Sequence, residues 1–322
     1  MVKTSTALIF LFSSLIPNFQ ANEKLDYTFY HKQVIEAEKF ISSNNYEDAI
    51  KIYEELFEEY DFIFLREYQI ASQVALQNND KQKGLHFLEE GMKSGWDLKS
   101  MKRNNFIAKF LNKEDWILIK KKYPALKKLY ETKIDPNLRK RVKKMFSKDQ
   151  WKSIQALFRF SSKAKERYAE KKFAPHSERQ IKSTIKILKT HGYPGEKLIG
   201  NDYWMSTIIS HHNSISTEYL KQDTLYPSIR PKLLFAIGEG QISPFEFAII
   251  DEWYFTVAGK SVYGIINPPL KSEIETTNEM RQKIFVRPIE IRNKLVDIED
   301  KTGMNLYLDI GPWVNGKILA EN

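Results

Sequence analysis

The sequence predicts a mainly α-helical protein, with helical hairpins near the N-terminus followed by a larger helical domain that carries a short β hairpin or strand. Three observations support this fold class. Apolar residues recur at three- and four-residue spacing along most of the chain, which is the period of amphipathic helices. The composition is globular, with 42% hydrophobic and 28% charged residues. A length of 322 residues predicts two or three compact units.

The absence of cysteine excludes disulfides, thiolate metal sites and a cysteine nucleophile. The chain also contains no His-Glu-x-x-His, no Gly-x-Ser-x-Gly, no phosphate-binding glycine-rich loop and no dinucleotide-binding glycine pattern. The sequence therefore indicates no metal and no nucleotide, flavin or haem cofactor.

Residues 1–21 are typical of a secretion signal peptide. Lys3 supplies the positive charge, residues 7–16 form an apolar run, and Pro17 ends that run. The run is too short to span a bilayer, which needs about 20 residues. We therefore expect an exported protein, periplasmic or secreted, without a stable transmembrane anchor; an uncleaved N-terminal anchor is the alternative.

Residues 22–98 contain an internal repeat. Asn44-Asn45-Tyr46 and Asn78-Asn79-Asp80 are offset by 34 positions, and apolar residues at helical spacing flank both turns. This region resembles tetratricopeptide repeats, with Ala49 and Tyr53 at the small and aromatic packing positions of the second helix. In the second unit Lys83 falls where the small residue is expected, with Gly84 beside it.

Charge divides the chain into three parts. The net charge is −7 for residues 1–98, +20 for residues 99–190 and −4 for residues 191–322. We interpret residues 99–145 as a basic helical connector that Pro124 and Pro136 break into short helices. Its basic runs suggest contact with nucleic acid, but export makes nucleic acid an unlikely partner, and the basic centre can also dock on the acidic ends. Aromatic and aliphatic residues nearby fit a helical core stripe instead: Met145, Trp151, Ile154, Leu157 and Phe158.

Residues 146–322 are predicted to form a helical domain. The expected helices cover approximately residues 178–191, 202–213, 214–222, 228–237, 244–258 and 288–301. Residues 260–266 are rich in β-formers and end before Pro268, which suggests a short hairpin or strand.

His211 and its neighbour His212 are the first candidates for a functional site. His211 shares an apolar helix face with Ile208 and Ile215, so we expect its imidazole to be at least half-buried. Such a histidine is either a structural donor to a carboxylate or a catalytic base or ligand.

Asp251 is the second candidate, because it lies on an apolar helix face with Phe247 and Tyr254. A carboxylate in apolar surroundings requires a partner, and a histidine, Arg292 or Tyr263 is available. Asp251 therefore either holds two helices together or contributes to catalysis.

Residues 146–306 resemble an uncharacterised bacterial domain family. The matching features are Asp149-Gln150, Gly192-Tyr193-Pro194, Ser210-His211, Asp251-Glu252 and Tyr263-Gly264. Ser210, Glu252 and Ile265-Ile266 depart from the family pattern, so a polar site built from those side chains is altered here. The resemblance adds Asp149 and Gln150 as candidate binding residues and implies no activity.

Two functions remain open at this point, beside a purely structural role. The first is a binding or scaffolding protein that holds a protein or peptide partner on its helical hairpins. The second is a hydrolase-like enzyme in which His211 acts as a base oriented by Asp251, with Asp149 and Tyr263 lining the site.

Overall fold

The computed structural model describes residues 25–308 and 314–322. These residues are mainly helical, at 72% helix, which confirms the fold class in its main point. The predicted signal peptide, residues 1–21, lies outside the described residues.

Four helices form two hairpins at the start of the described chain: α1 (Tyr27–Ser42), α2 (Tyr46–Glu59), α3 (Leu65–Gln77) and α4 (Lys81–Lys93). Asn44 and Asn79 adopt the left-handed conformation in the two turns, with φ of 60° and 61°. Asparagine tolerates this conformation better than most residues. The next residues, Asn45 and Asp80, cap α2 and α4 with side-chain oxygens that accept backbone N–H bonds.

The two turns are 35 residues apart, one more than the predicted offset. At this offset Gly84, and not Lys83, corresponds to Ala49. A Cβ atom on Gly84 would lie 2.7 Å from Leu76 Cγ, so the second hairpin requires a glycine where α4 crosses α3.

The basic region forms five helices: α5 (Leu98–Arg103), α6 (Asn105–Phe110), α7 (Lys113–Lys133), α8 (Pro136–Leu157) and α9 (Ser162–Tyr168). Helix α7 continues through Pro124, so the predicted break there is wrong. Pro124 is exposed, and water can therefore bond the carbonyl that loses its N–H partner. Pro136 occupies the start of α8, where a missing N–H does no harm.

The outer end of α8 leaves the core. Met145 is buried, but Trp151, Leu157 and Phe158 are 61%, 75% and 66% exposed. The expected core stripe is therefore wrong beyond Met145. A helix of this length extends about 33 Å and is longer than the cluster on which its first half packs.

The remaining helices are α10 (Ala174–Thr190), α11 (Glu196–Ile199), α12 (Trp204–Asn213), α13 (Thr217–Leu220), α14 (Leu225–Gly238), α15 (Pro244–Thr256), α16 (Ile274–Lys283) and α17 (Ile289–Thr302). A π turn, Ala169–Phe173, joins α9 to α10, and a 3-10 turn, Lys271–Glu273, precedes α16. Helix α12 is central in this part of the fold, because it packs against α8, α10, α14 and α15.

Residues 260–266 do not form the predicted β hairpin or strand. The backbone N–H groups of Val262 and Tyr263 instead donate to the carboxylate of Glu252, at 3.3 and 2.6 Å. A side chain thus satisfies donors that a partner strand would otherwise take. In the part of the chain that the structure describes, the bridge between Leu270 and Glu321 is the one β-type pairing.

The buried apolar residues form two large cores. The C-terminal core lies within residues 138–286, and the N-terminal core combines residues of α1 to α7 with residues 295–308. The end of the chain therefore returns to the N-terminal helices. The division predicted between residues 145 and 146 falls inside α8.

Residues 304–308 lie against the first hairpins in an extended conformation. The Gln73 side chain donates to the Asn305 carbonyl at 2.7 Å and accepts from the Asn305 N–H at 2.8 Å. Arg66 donates to the Leu306 carbonyl at 3.0 Å, and Asn104 donates to Gln73 at 3.2 Å. The hairpins therefore bind a segment of their own chain through its backbone.

None of the helices in residues 25–308 and 314–322 has the length and apolar character needed to cross a membrane.

Replacing Gln73 by alanine should lower the free energy of unfolding by about 2–3 kcal/mol, because several buried polar groups lose a partner. Urea unfolding followed by circular dichroism measures the change. Gln77→Ala, at the half-buried end of the same helix, is the matched control and should cost less than about 1 kcal/mol. Equal losses in the two variants would contradict a specific role for the contact with Asn305.

Candidate functional site

His211 lies on α12 with its Nδ1 atom 2.5 Å from Asp149 Oδ2 and 3.0 Å from Ser153 Oγ. Both partners come from α8, and Asp149 is fully buried. The expected pairing of His211 with Asp251 is therefore wrong, because α12 packs between α8 and α15 and turns this imidazole toward α8.

The contacts of His211 do not form a nucleophile–histidine–carboxylate relay. In such a relay the nucleophile contacts one ring nitrogen and the carboxylate contacts the other. Here Ser153 and Asp149 share Nδ1. The arrangement is that of a half-buried histidine held by a buried carboxylate.

His212 and Gln150 do not join this pair. His212 is fully buried, with Nδ1 3.0 Å from Ser177 Oγ and Nε2 3.3 Å from Asp223 Oδ2. Gln150 is half-buried beside Asp149 on α8. The adjacent histidines thus point to different partners, as expected for neighbours on a helix.

Asp251 is fully buried and receives four hydrogen bonds. The Arg230 guanidinium donates two of them, at 2.7 and 2.8 Å, and the hydroxyls of Tyr226 and Tyr263 donate at 2.5 and 2.7 Å. Burial and the nearby Asp251 carboxylate raise the pKa of Tyr263, which keeps its hydroxyl protonated as a donor. The expected contact with Tyr263 is present, whereas the main cation is Arg230, which the sequence analysis did not single out. This cluster joins α14, α15 and the loop after α15.

A partly open pocket of about 460 Å³ lies elsewhere, between the two parts of the fold. Helices α1 and α3 form one wall, and α11, α15 and the segments around residues 203, 286 and 307 form the others. Its polar lining consists mainly of six charged side chains: Glu38, Arg66, Glu67, Glu196, Glu246 and Arg287. Its aromatic lining includes Phe64, Tyr203, Phe245, Phe285 and Tyr307. The volume and the mixed lining are typical of a small-molecule site.

Three residues of the pocket lining have strained backbones. Tyr203, Phe285 and Tyr307 have φ of 48°, 59° and 53°, in the left-handed region that side chains of this size rarely adopt. Each costs about 1–2 kcal/mol. Apart from the turn asparagines, these are the only non-glycine residues with positive φ within the described ranges. Strain of this kind concentrates at ligand and catalytic sites.

Glu38 is the centre of a buried ion pair network at the edge of the pocket. Arg287 donates to Glu38 at 2.6 Å and Arg66 donates to it at 2.9 Å. Burial opposes the charge of Glu38, but the two guanidiniums prevail and hold its pKa below the usual range. The network joins α1, α3 and the segment before α17.

Three residues of the pocket lining each have one buried polar atom without a hydrogen-bond partner. These atoms are Glu67 Oε2, Asn201 Oδ1 and Arg287 Nη1. Glu67 and Arg287 are only 6% and 5% exposed, so solvent does not readily satisfy them. Because almost none of the surface of each atom is accessible to water, these atoms face the surrounding protein and not the open space of the pocket. Their missing hydrogen bonds are an unfavourable feature of the fold beside the cavity.

Glu196 and Glu246 are the remaining carboxyls of the pocket. Glu196 accepts from the Leu65 N–H at 2.5 Å, and Glu246 accepts from the Tyr193 hydroxyl at 2.7 Å. Burial raises the pKa of Glu196 to about 8 and that of Glu246 to about 7. Both carboxyls are therefore protonated to a large extent near neutral pH.

This pocket was not predicted, although the sequence contains a sign of it. Glu38 lies on the apolar face of α1 with Val34 and Ile41, and Glu67 lies on that of α3 with Ala71. Asp251 was identified by the same pattern. The repeat pattern in residues 22–98 predicts only how these helices pack against each other.

Comparison with family models, curated proteins and solved structures finds no match to this chain. The resemblances to tetratricopeptide repeats and to the uncharacterised bacterial domain family therefore stay predictions. What the protein does is inferred only from its own residues and their geometry.

Asp251→Ala should lower the free energy of unfolding by about 3–5 kcal/mol, because the variant leaves the half-buried Arg230 guanidinium and two buried phenol hydroxyls without an acceptor. Chemical denaturation measures the loss. Asp297→Ala removes an exposed ion pair with Lys317 and should cost less than about 1 kcal/mol. An unchanged unfolding midpoint for Asp251→Ala would show that the cluster does not stabilise the fold.

Glu246→Gln should gain stability relative to the wild type as the pH rises from about 5 to about 7. The pKa of Glu246 is raised to about 7 in the folded protein, above an unfolded value of about 4.3. The native state therefore holds this proton in a range where the unfolded chain releases it, and the wild type loses stability as the pH rises. Glutamine has no proton to lose.

Thermal unfolding of the two proteins across this pH range measures the difference between them. Glu58→Gln, at an exposed position on α2, is the control and should follow the wild type at every pH. A Glu246→Gln curve parallel to that of the wild type would contradict a protonated Glu246.

Proposed function

We propose that this protein is an exported binding protein whose ligand site is the pocket between α1, α3, α11 and α15. The secretion-type N-terminus supports export to the periplasm or the medium. One observation carries the binding function: three aromatic residues with strained backbones line the same partly open cavity, whose volume suits a small molecule. A folded protein that gains nothing from the cavity would be more stable without this strain.

The pocket is a better candidate than a groove on the hairpins. The sequence of the hairpins resembles tetratricopeptide repeats, and a partner protein on them was the first expectation. However, residues 304–308 and α17 already pack there, and Gln73 is bonded to Asn305. A partner peptide would have to displace them.

The pocket is also a better candidate than a hydrolase site at His211. Asp251 bonds to Arg230 and not to His211, and the contacts of His211 leave no relay to a nucleophile. The His211–Asp149 pair therefore supports the helix packing of the larger domain.

Narrowing the pocket should abolish ligand binding without unfolding the protein. Ile249 is a half-buried residue of the pocket lining on α15, and Ile249→Trp would fill part of the cavity. We expect at least one compound from a panel of amines, amino acids, sugars, nucleosides and carboxylates to raise the melting temperature of the full-length protein. Ligand binding to the native state alone has this effect.

The shift should be lost in Ile249→Trp and kept in Ile117→Trp, which makes the same change at an exposed position on α7. Circular dichroism checks that both variants keep their helical content. A shift that survives in Ile249→Trp would place the ligand outside the pocket and contradict the proposed function.

A further inference from the structure

We propose that the outer end of α8 binds the surface of an anionic lipid bilayer. This end of the helix is separate from the pocket, whose lining contains no residue of α8 or α9. Two features occur together there: apolar side chains that are exposed, and basic side chains that form no ion pair within the part of the chain that the structure describes.

Five apolar side chains protrude at this place, and we call them the α8 tip: Trp151, Ile154, Leu157, Phe158 and Phe160. Each is at least 41% exposed, and Phe160 is 98% exposed. Trp151, Ile154 and Phe158 follow one another at three- and four-residue spacing, so they share one face of the helix. Single exposed apolar residues are common on protein surfaces, whereas a contiguous group of large ones is typical of an interaction site.

A different face of α8 packs on the protein. Asp149 and Ser153 lie on that face and contact His211. The buried Tyr168, at the end of α9, places its hydroxyl 2.9 Å from the Lys152 carbonyl oxygen. The helix is therefore held from one side by α12 and α9, and the α8 tip remains exposed to solvent.

Basic residues dominate the segment that carries the α8 tip. Residues 148–172 contain eight lysines and arginines and three acidic residues, of which Asp149 is buried against His211. Within residues 25–308 and 314–322, none of the eight takes part in an ion pair: Lys148, Lys152, Arg159, Lys163, Lys165, Arg167, Lys171 and Lys172. Their positive charge is thus not neutralised by the protein itself.

An anionic bilayer complements both features. Its phosphate headgroups attract lysine and arginine, and tryptophan, phenylalanine and leucine side chains enter the boundary between headgroups and acyl chains. The long lysine side chains can keep their ammonium groups at the headgroups while the apolar residues insert. The combination is typical of proteins that lie on a membrane without crossing it.

Two other partners fit the α8 tip less well. A second copy of this chain would bring two basic surfaces together, and like charges repel. Nucleic acid would attract the basic residues, and Phe158 and Phe160 can stack on bases. However, Ile154 and Leu157 have no aromatic face, and they gain more from lipid than from a base.

Quenching of the Trp151 emission by vesicles with brominated acyl chains tests the proposal, because bromine quenches a tryptophan only on close contact. Lipid binding by residues 7–16 does not produce this signal, since that apolar run contains no tryptophan. Vesicles of phosphatidylglycerol and brominated phosphatidylcholine should quench the full-length protein, and most of the quenching should be absent in Trp151→Phe. Quenching that persists in Trp151→Phe would overturn the proposal, because another part of the chain would then enter the bilayer.

The affinity should also depend on lipid charge. Replacing phosphatidylglycerol by phosphatidylcholine should weaken binding by about tenfold, because the basic side chains lose their anionic partners. Raising the salt concentration from about 0.1 to about 1 M should weaken binding to the anionic vesicles, since the Debye length falls from about 10 to about 3 Å. Equal affinity for the two vesicles would overturn the assignment to anionic lipid.

Leu157→Ser combined with Phe160→Ser removes apolar surface from the α8 tip and leaves its charge unchanged. We expect the affinity for the anionic vesicles to fall about tenfold. Phe29→Ser combined with Leu319→Ser is the matched control, because it removes the same two residue types from exposed positions elsewhere and should leave the affinity unchanged. Circular dichroism checks that both variants keep their helices. Equal affinities of the two variants would overturn the proposal.

Two further measurements separate lipid from the other partners. Single-stranded DNA that quenches Trp151 at a lower phosphate concentration than the vesicles do, and equally well in Leu157→Ser, would overturn the proposal in favour of nucleic acid. Dimerisation without lipid, measured by sedimentation and abolished by the variant of the α8 tip, would overturn it in favour of a second copy.

Discussion

The buried contact of Glu38 with Arg66 and Arg287 is the interaction on which the arrangement of the two halves depends. Glu38 belongs to α1, Arg66 to α3, and Arg287 lies 249 residues further along the chain than Glu38. A buried carboxylate without a cation would be strongly unfavourable, so these three side chains must meet whenever the fold closes. Their meeting brings the segment before α17 onto the hairpins and places Phe285 at the pocket. The same ion pairs are therefore needed to join the two halves of the fold and to form the pocket.

The same cavity holds carboxyls in two different states. Glu38 is ionised because two guanidiniums reach it, whereas Glu196 and Glu246 have only N–H or O–H donors and raised pKa values. Glu38 and Glu246 are both buried, so the difference between these two comes from the position of the cations. The ionised carboxylate therefore lies on the α1 side of the cavity, and the other two carboxyls are largely neutral. The strained aromatic residues line the same cavity. The fold therefore holds strained backbones and carboxyls with raised pKa values in one place.

Helix periodicity predicted most of the helices, because it reports which face of a helix is buried. It does not report which other helix covers that face. His211 and Asp251 were each correctly placed on buried faces, but α12 presents His211 to Asp149, and α14 supplies Arg230 to Asp251. The β-rich residues after α15 were misread for a related reason: a buried Glu252 takes their N–H groups. These contacts join residues that are distant in sequence, and a single sequence does not show which of them meet.

The hairpins take a different role from that of a free repeat array. Two hairpins bury too little surface to stand alone, and such units normally need neighbours. Here the chain itself supplies the neighbour, because Met304, Leu306 and Leu308 join the N-terminal core and Gln73 pairs with the backbone of Asn305. The face that would receive a partner is used for intramolecular packing. The α1 and α3 residues that face the larger domain, Glu38 and Glu67 among them, then form one wall of the pocket.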